Sequence, residues 1–274
     1  MKLYRTTKGI FVQVEQEFFL LKGGIWDSII CSDQLFVEAQ RATTGVAFRA
    51  DQIGTVLAPI VSQEVWAAGS TYSRKQTTQI EESQSGGGGD SYARVYNAER
   101  PQLFFKSTGR RVANPGEAVR IRSDARRSIP EPELTLVINP SGRIVGYTAG
   151  NDMSACDIER ENPLYLPQAK IYDGSCAIGP CVLLATSPLC PETGITIEVE
   201  RAGNIAFRGV ASLAGLKRKP EHLVDYLFRN NSFSDGVYLM TGTPLVPPES
   251  FTLAQGDRIQ IMIEGIGTLE NYVA

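Results

Sequence analysis

The stretch Glu131–Lys170, EPELTLVINPSGRIVGYTAGNDMSACDIERENPLYLPQAK, decides the reading of this chain. In ELTLVIN, Leu134, Leu136 and Ile138 alternate with Glu133, Thr135 and Val137. That is the period of a half-buried strand, and GRIVGYT supplies its return strand. Between them stands Asn139-Pro140-Ser141-Gly142. Asn first, Pro second and Gly fourth is the signature of a type I turn, so a tight hairpin is expected. A two-residue loop of Pro140 and Ser141 pairs Glu133 with Thr148 and Glu131 with Gly150, and places Asp152 two residues further on. Residues two apart in a strand share a face, as do directly opposed residues, so Glu131, Glu133 and Asp152 project to one side. Glu131 and Asp152 then sit on a diagonal of roughly 7 to 8 Å.

Two glutamates at alternate positions of a strand are most often a solvated face. The third carboxylate changes the balance, because three like charges on one patch repel unless a cation or protons neutralise them. Carboxylates closing on one ion at about 2.0 to 2.6 Å are hard ligands, which favour Mg²⁺, Mn²⁺ or Ca²⁺ over zinc.

The remaining residues narrow the chemistry. The chain of 274 residues is ample for a sizeable core, as one large domain or two unequal ones. It is 42% hydrophobic and 21% charged with net charge −3, and its pI near 5.4 argues against a nucleic-acid binder. No apolar run approaches a membrane span, and the start, MKLYRTTKGIFVQVEQ, lacks the apolar core of a signal peptide, so a cytoplasmic protein is expected. Cys31, Cys156, Cys176, Cys181 and Cys190 are an odd number without CxxC spacing, which points to reduced thiols. The single histidine, His222, falls in the first turn of an expected helix and reads as an ordinary helix residue. Acid–base work must therefore fall to Lys, Glu, Asp, Tyr or metal-bound water.

Residues 1–60 read as short strands such as GIFVQVE and EFFLLK, a small N-terminal β-rich domain ahead of a main domain over 61–274. Val65, Trp66 and Ala67 suggest a buried strand end, followed by a polar segment and the run Gly86–Gly89. Four glycines give high backbone freedom, consistent with a plain surface loop or with a lid over substrate. Arg110, Arg111, Arg120, Arg122, Arg126 and Arg127 form a basic stretch. Scattered arginines are usually solvated, but Arg126 and Arg127 lie just before the Glu131 strand, and the planar fork of one of them suits a substrate carboxylate. Further on, GITIEVERAGNIAFRG reads as a hairpin turning at Ala202-Gly203, and Pro220 to Arg229 as a helix with Leu223, Tyr226 and Leu227 on one face. DRIQIMIEGIG reads as the final strand, with Ile259, Ile261 and Ile263 on one face. Strands dominate, so the fold class is α+β, β-rich.

GYTAGNDMSACDIERENPLYLPQAKIYDGSCAIGP, preceded by PEPELTLVIN and followed by MTGTPLVPP and GDRIQIMIEGIGTLEN, strongly resembles the fumarylacetoacetate hydrolase superfamily. NPLYLPQAK and VWAAGSTYSRKQTTQIEES look most like its branch of 2-keto-3-deoxy-pentonate dehydratases. The resemblance covers about Val61 to Val273 and implies a rolled β-sandwich. It makes Glu131, Glu133 and Asp152 the ligands of Mg²⁺, with Mn²⁺ or Ca²⁺ as alternatives, and Lys170 the active-site lysine. Thr243 and Gly242 would line the substrate pocket, with Arg126 and Tyr72 completing the expected substrate contacts. Glu82 is the candidate for the proton transfer that releases water. A small 2-keto acid substrate and a homodimer or higher homo-oligomer follow from the same likeness, with no nucleic-acid or membrane partner. Many hydrolases of the superfamily resemble one another in a His and Glu pair on the segment after residue 61. This chain has Arg74, Lys75, Glu81 and Glu82 there but no histidine, which favours a lyase over the alternative, a C–C bond hydrolase or decarboxylase. One departure stands out: Cys156 occupies the place of the usual arginine in the SARD part of the motif, which leaves a weakened homologue as a third reading.

Overall fold

The computed structural model describes residues 1–72 and 94–274, so Glu82 and the Gly86–Gly89 run lie outside the described residues. The N-terminal part supplies β1 (Lys2–Thr6), β2 (Gly9–Val14), β3 (Glu17–Leu20), β4 (Ala47–Phe48) and β5 (Val56–Leu57). Next come β6 (Glu64–Gly69), β7 (Gln102–Thr108), β8 (Ala118–Val119), β9 (Ser128–Ile129), β10 (Pro132–Ile138), β11 (Ile144–Asp152) and β12 (Ser154–Ala155). The rest are β13 (Cys176–Leu184), β14 (Gly194–Arg201), β15 (Asn204–Ser212), β16 (Val237–Met240), β17 (Arg258–Ile263) and β18 (Gly267–Val273).

Two sheets carry the architecture. The larger runs β4-β3-β2-β1-β13-β11-β10-β16-β6-β7, with β5 added beside β1, and the smaller runs β15-β14-β17-β18-β8. Leu134, Leu136 and Ile138 of the larger sheet share one core with Ile195, Ile197 and Ile261 of the smaller. Residues 1–60 also contain the helices Trp26–Ile30 and Leu35–Ala42. Their Trp26, Ile29 and Ile30 pack with Val137, Tyr238 and Met240 in a second core on the other side of the larger sheet. Hydrogen bonding carries the sheet across the same boundary, since Lys2 pairs with Leu183 and Leu3 with Val182.

This layering corrects the expectation of a half-buried β10. Every residue from Pro132 to Ile138 is buried, because the strand is central and covered on both faces. Burying Leu134, Leu136 and Ile138 contributes about 1.5–3 kcal/mol each. Two smaller corrections follow. Val224 rather than Tyr226 joins Leu223 and Leu227 as a buried residue of the helix Pro220–Phe228. The last strand is β18, which returns along β17 as a hairpin.

The register of the β10–β11 hairpin differs from the expected one by two residues, from two separate causes. The loop has three residues, closed by the Asn139 N–H to Arg143 O bond at 3.0 Å and the Gly142 N–H to Asn139 O bond at 2.9 Å. Gly142 takes φ +74° there, the left-handed residue that ends a three-residue hairpin loop. One further residue is then extra on β11, where the pairing passes from Ile138↔Ile144 to Val137↔Gly146. Glu133 therefore faces Gly150. Asp152 stands directly across from Glu131, its N–H donating to Glu131 O at 3.0 Å, and not on a diagonal. The shift is even, so the three carboxylates keep a common face.

Candidate metal centre and active site

Glu131, Glu133 and Asp152 each bring a carboxylate oxygen within 4.8 Å of the others'. Glu133 and Asp152 are only 2% and 1% exposed. Burying three carboxylates together is costly unless cations answer them, and two lysines do. Lys170, at the C-terminal end of the short helix Leu166–Lys170, places its Nζ 2.6 Å from Glu131 Oε2 and 3.4 Å from Asp152 Oδ2. Lys106, on β7 and fully buried, places its Nζ 2.5 Å from Asp152 Oδ1. Its ammonium donates to Met153 O at 3.0 Å and to Lys170 O.

The electrostatics follow from this packing. Burial first, then Asp152 nearby, pushes the Glu131 carboxyl up to about 7 against the pull of Lys170. Burial, Asp152 and Glu131 together raise Glu133 well above the ordinary carboxylate range. Burial works to lower the Lys170 ammonium, but Asp152 and Glu131 outweigh it and hold the group well above its ordinary value. Lys170 is therefore a cation. Three hard oxygen donors gathered in one buried place, with burial opposing the ionisation of Glu131 and Glu133, are an environment that a divalent ion stabilises.

The loop after β16 closes one side of the cluster. Gly242 N–H donates to Glu133 Oε2 at 2.6 Å, and the Thr241 hydroxyl donates to Leu134 O at 2.9 Å. The Thr243 hydroxyl lies 2.9 Å from Pro132 O and 3.0 Å from Leu245 O. Tyr72 is buried, and its hydroxyl has no hydrogen-bond partner among the described residues. Burial and then the Glu133 charge push that phenol upward, so it stays protonated. The structure thus brings Gly242 onto the carboxylate cluster and sets Tyr72 close enough to feel Glu133. Arg126 is placed elsewhere: its side chain is 92% exposed, 3.7 Å from Asp157. Arg127 instead donates to the carbonyls of Pro247, Pro248 and Phe251, anchoring that loop.

Cys156 opens the helix Cys156–Glu161 and is buried. Burial, with Glu131 adding to it, pushes its thiol up to about 12, so the group is neutral. Lys106 is a residue that sequence reasoning did not bring to the cluster. Its signal was there in PQLFFKS, a lysine embedded in an apolar strand.

The profile for the fumarylacetoacetate (FAA) hydrolase C-terminal domain matches residues 65–274, which include every described residue of the cluster. The chain belongs to the fumarylacetoacetate hydrolase family. Within that family it is 44% identical over 216 residues to a Haloferax volcanii protein named "Probable 2-keto-3-deoxyxylonate dehydratase", covering 78% of this chain and 73% of the relative. It is 42% identical over 213 residues to the 2-dehydro-3-deoxy-D-arabinonate dehydratase of Saccharolobus solfataricus, covering 77% and 72%. Among solved structures it resembles a 2-keto-3-deoxy-D-arabinonate dehydratase complexed with magnesium and 2,5-dioxopentanoate, with TM-score 0.82, 32% identity and coverage of 100% and 98%. The fumarylacetoacetate-hydrolase fold expected from the motifs is the one observed, with two packed sheets and no closed barrel.

Proposed function

We propose that this member of the family is a magnesium-dependent hydro-lyase that converts a 2-keto-3-deoxy-pentonate to 2,5-dioxopentanoate and water. The observation that carries the reading is the buried Glu131–Glu133–Asp152 cluster, in a chain more than 40% identical to two proteins named as dehydratases of such acids. Glu131, Glu133 and Asp152 would hold the ion, which when bound would supply Lewis acidity to the 2-keto group and ease loss of a C3 proton. Fully ionised, the three carboxylates with Lys106 and Lys170 carry a net charge of −1; a divalent ion makes it +1, which suits a monoanionic acid.

Lys170 contributes as an ammonium, steadying negative charge that develops as C3 loses its proton. The C4 hydroxyl then departs as water, taking up a proton, and tautomerisation moves the new double bond to leave the C5 aldehyde. Glu82, outside the described residues, is our candidate for the proton transfer, taking the proton from C3 and returning it to the departing hydroxyl. Tyr72, whose protonated hydroxyl has no hydrogen-bond partner among the described residues, is assigned to hold a substrate oxygen, and Gly242 and Thr243 to form the wall beside Glu133. The surface position of Arg126 suits capture of the anionic substrate better than contact at the cluster. A cytoplasmic homodimer or higher homo-oligomer completes the reading, and light scattering checks the second part of it.

The test is a coupled assay for 2,5-dioxopentanoate from D- and L-2-keto-3-deoxy-pentonate, with Mg²⁺ and with EDTA, beside an acylpyruvate. Semialdehyde formation that EDTA abolishes is the expected result, and it also reports the C4 configuration preferred. Acylpyruvate cleavage without semialdehyde would move the protein to the hydrolases. A gain of activity in Cys156→Arg would mark the wild type as a weakened member.

A further inference from the structure

Each carboxylate of the cluster has one oxygen held closely by a protein nitrogen, through a hydrogen bond for Glu131 and Glu133 and an ion pair for Asp152. Glu131 Oε2 is held by Lys170 at 2.6 Å, Glu133 Oε2 by the Gly242 N–H at 2.6 Å and Asp152 Oδ1 by Lys106 at 2.5 Å. Among the described residues the second oxygens of Glu131 and Glu133 remain for an ion, and Asp152 Oδ2 has only the longer contact with Lys170 Nζ at 3.4 Å. Of the three, Lys106 is the most firmly fixed side chain, because its ammonium donates to Met153 O and to Lys170 O while forming a close ion pair with Asp152 Oδ1. It is also wholly buried, so no water stands ready to replace those partners.

We propose that Lys106 is a positioning residue that limits Asp152 to a single metal-binding oxygen, and so biases the site towards Mg²⁺ and against Ca²⁺. Mg²⁺ takes six ligands in a near-ideal octahedron and accepts single oxygens, whereas Ca²⁺ takes six to eight and often gains them from carboxylates bound through both oxygens. A carboxylate pinned at its second oxygen cannot serve the larger ion in that way. The same ammonium ties Met153, beside the ligand Asp152, to the carbonyl of Lys170, so the denticity of the ligand and the place of the lysine are set by one group.

The inference rests on the metal centre proposed above, and calorimetry separates the two. Mg²⁺ and Ca²⁺ are titrated into the full-length protein and into Lys106→Met, a variant of similar length without charge. Losing a positive charge favours both dications alike and cancels in the ratio of their Kd values. Losing the pin does not cancel: the variant is expected to shift that ratio on the order of tenfold towards Ca²⁺. A folded variant with an unchanged ratio overturns the role of Lys106 and leaves the metal centre standing. Wild-type protein that binds neither ion overturns both. Crystals of the wild type grown with Ca²⁺ give a reading that needs no variant: Asp152 on the ion through one oxygen is expected, and both oxygens on the ion with Lys106 displaced would refute the assignment.

Discussion

Glu133 shows how a single side chain can be costly to the fold and yet fit the proposed metal site. Its carboxylate is buried beside two others, and among the described residues its direct donor is a backbone amide, Gly242 N–H. Replacing it by glutamine keeps the shape and an oxygen for that amide while removing the charge. Glu133→Gln is expected to leave the metal-free protein folded, with Tm in EDTA unchanged or higher. Its Mg²⁺ affinity should fall by more than the roughly 10–100-fold that losing an outer partner of a metal ligand costs. Calorimetry beside thermal melts checks both halves, and a variant that binds Mg²⁺ like the wild type would remove Glu133 from the ligand set. The face that Glu133 shares with Glu131 and Asp152 was legible in the sequence, because alternation is a property of the strand alone. Lys106 was not legible as a partner of Asp152, because β7 and the hairpin lie in one sheet with β16 and β6 between them, an order that no local stretch of sequence specifies.

The hairpin and the loop after β16 act together as elements. Gly242 has φ +92°, and a Cβ added there would run into Thr71 Oγ1, with Ala68 O at 3.1 Å. Thr71 is itself engaged, donating to Thr241 O at 2.5 Å. Gly242→Ala is therefore expected to cost about 1–3 kcal/mol of stability through strain. It should also weaken Mg²⁺ binding on the order of tenfold by turning the amide off Glu133. Denaturant melts and a Mg²⁺ titration measure the two effects, and an unaltered Kd would show that the amide does not orient Glu133. The turn residues Asn139, Pro140 and Gly142 announced the hairpin. They did not announce its loop length, since a type I turn is compatible with a two-residue closure or with a third, left-handed residue. Nor did Ile144-Val145-Gly146 carry a mark of the extra residue in β11, which arises from pairing with neighbours on both sides. Residues 1–60 were readable as strands, but not as a layer whose Trp26 and Ile30 cover the back of β10, because nothing local specifies what a strand packs against.

At the scale of the molecule, the carboxylate cluster makes stability depend on pH and on metal. With its carboxyl raised from 4.5 to about 7 in the fold, Glu131 holds a proton there that the unfolded chain releases. That contribution is complete below about 4.5 and is lost as pH rises through about 7. In EDTA, Tm is expected to decline across this window; Mg²⁺ at a hundred times its Kd restores about 2.7 kcal/mol, most effectively above pH 7. Differential scanning calorimetry from pH 5 to pH 8 decides the matter, and a metal-free Tm that climbs with pH would contradict the raised carboxyl. No described helix is long and apolar enough to cross a membrane. The two one-residue irregularities of the hairpin, at Gly142 and after Ile144, have a meaning for how such a chain can diverge. One inserted or deleted residue inverts a strand and turns its acids into the opposite core; a second restores them. The length of this hairpin can drift only by even steps, so odd changes must arrive in pairs for the chemistry to outlive them.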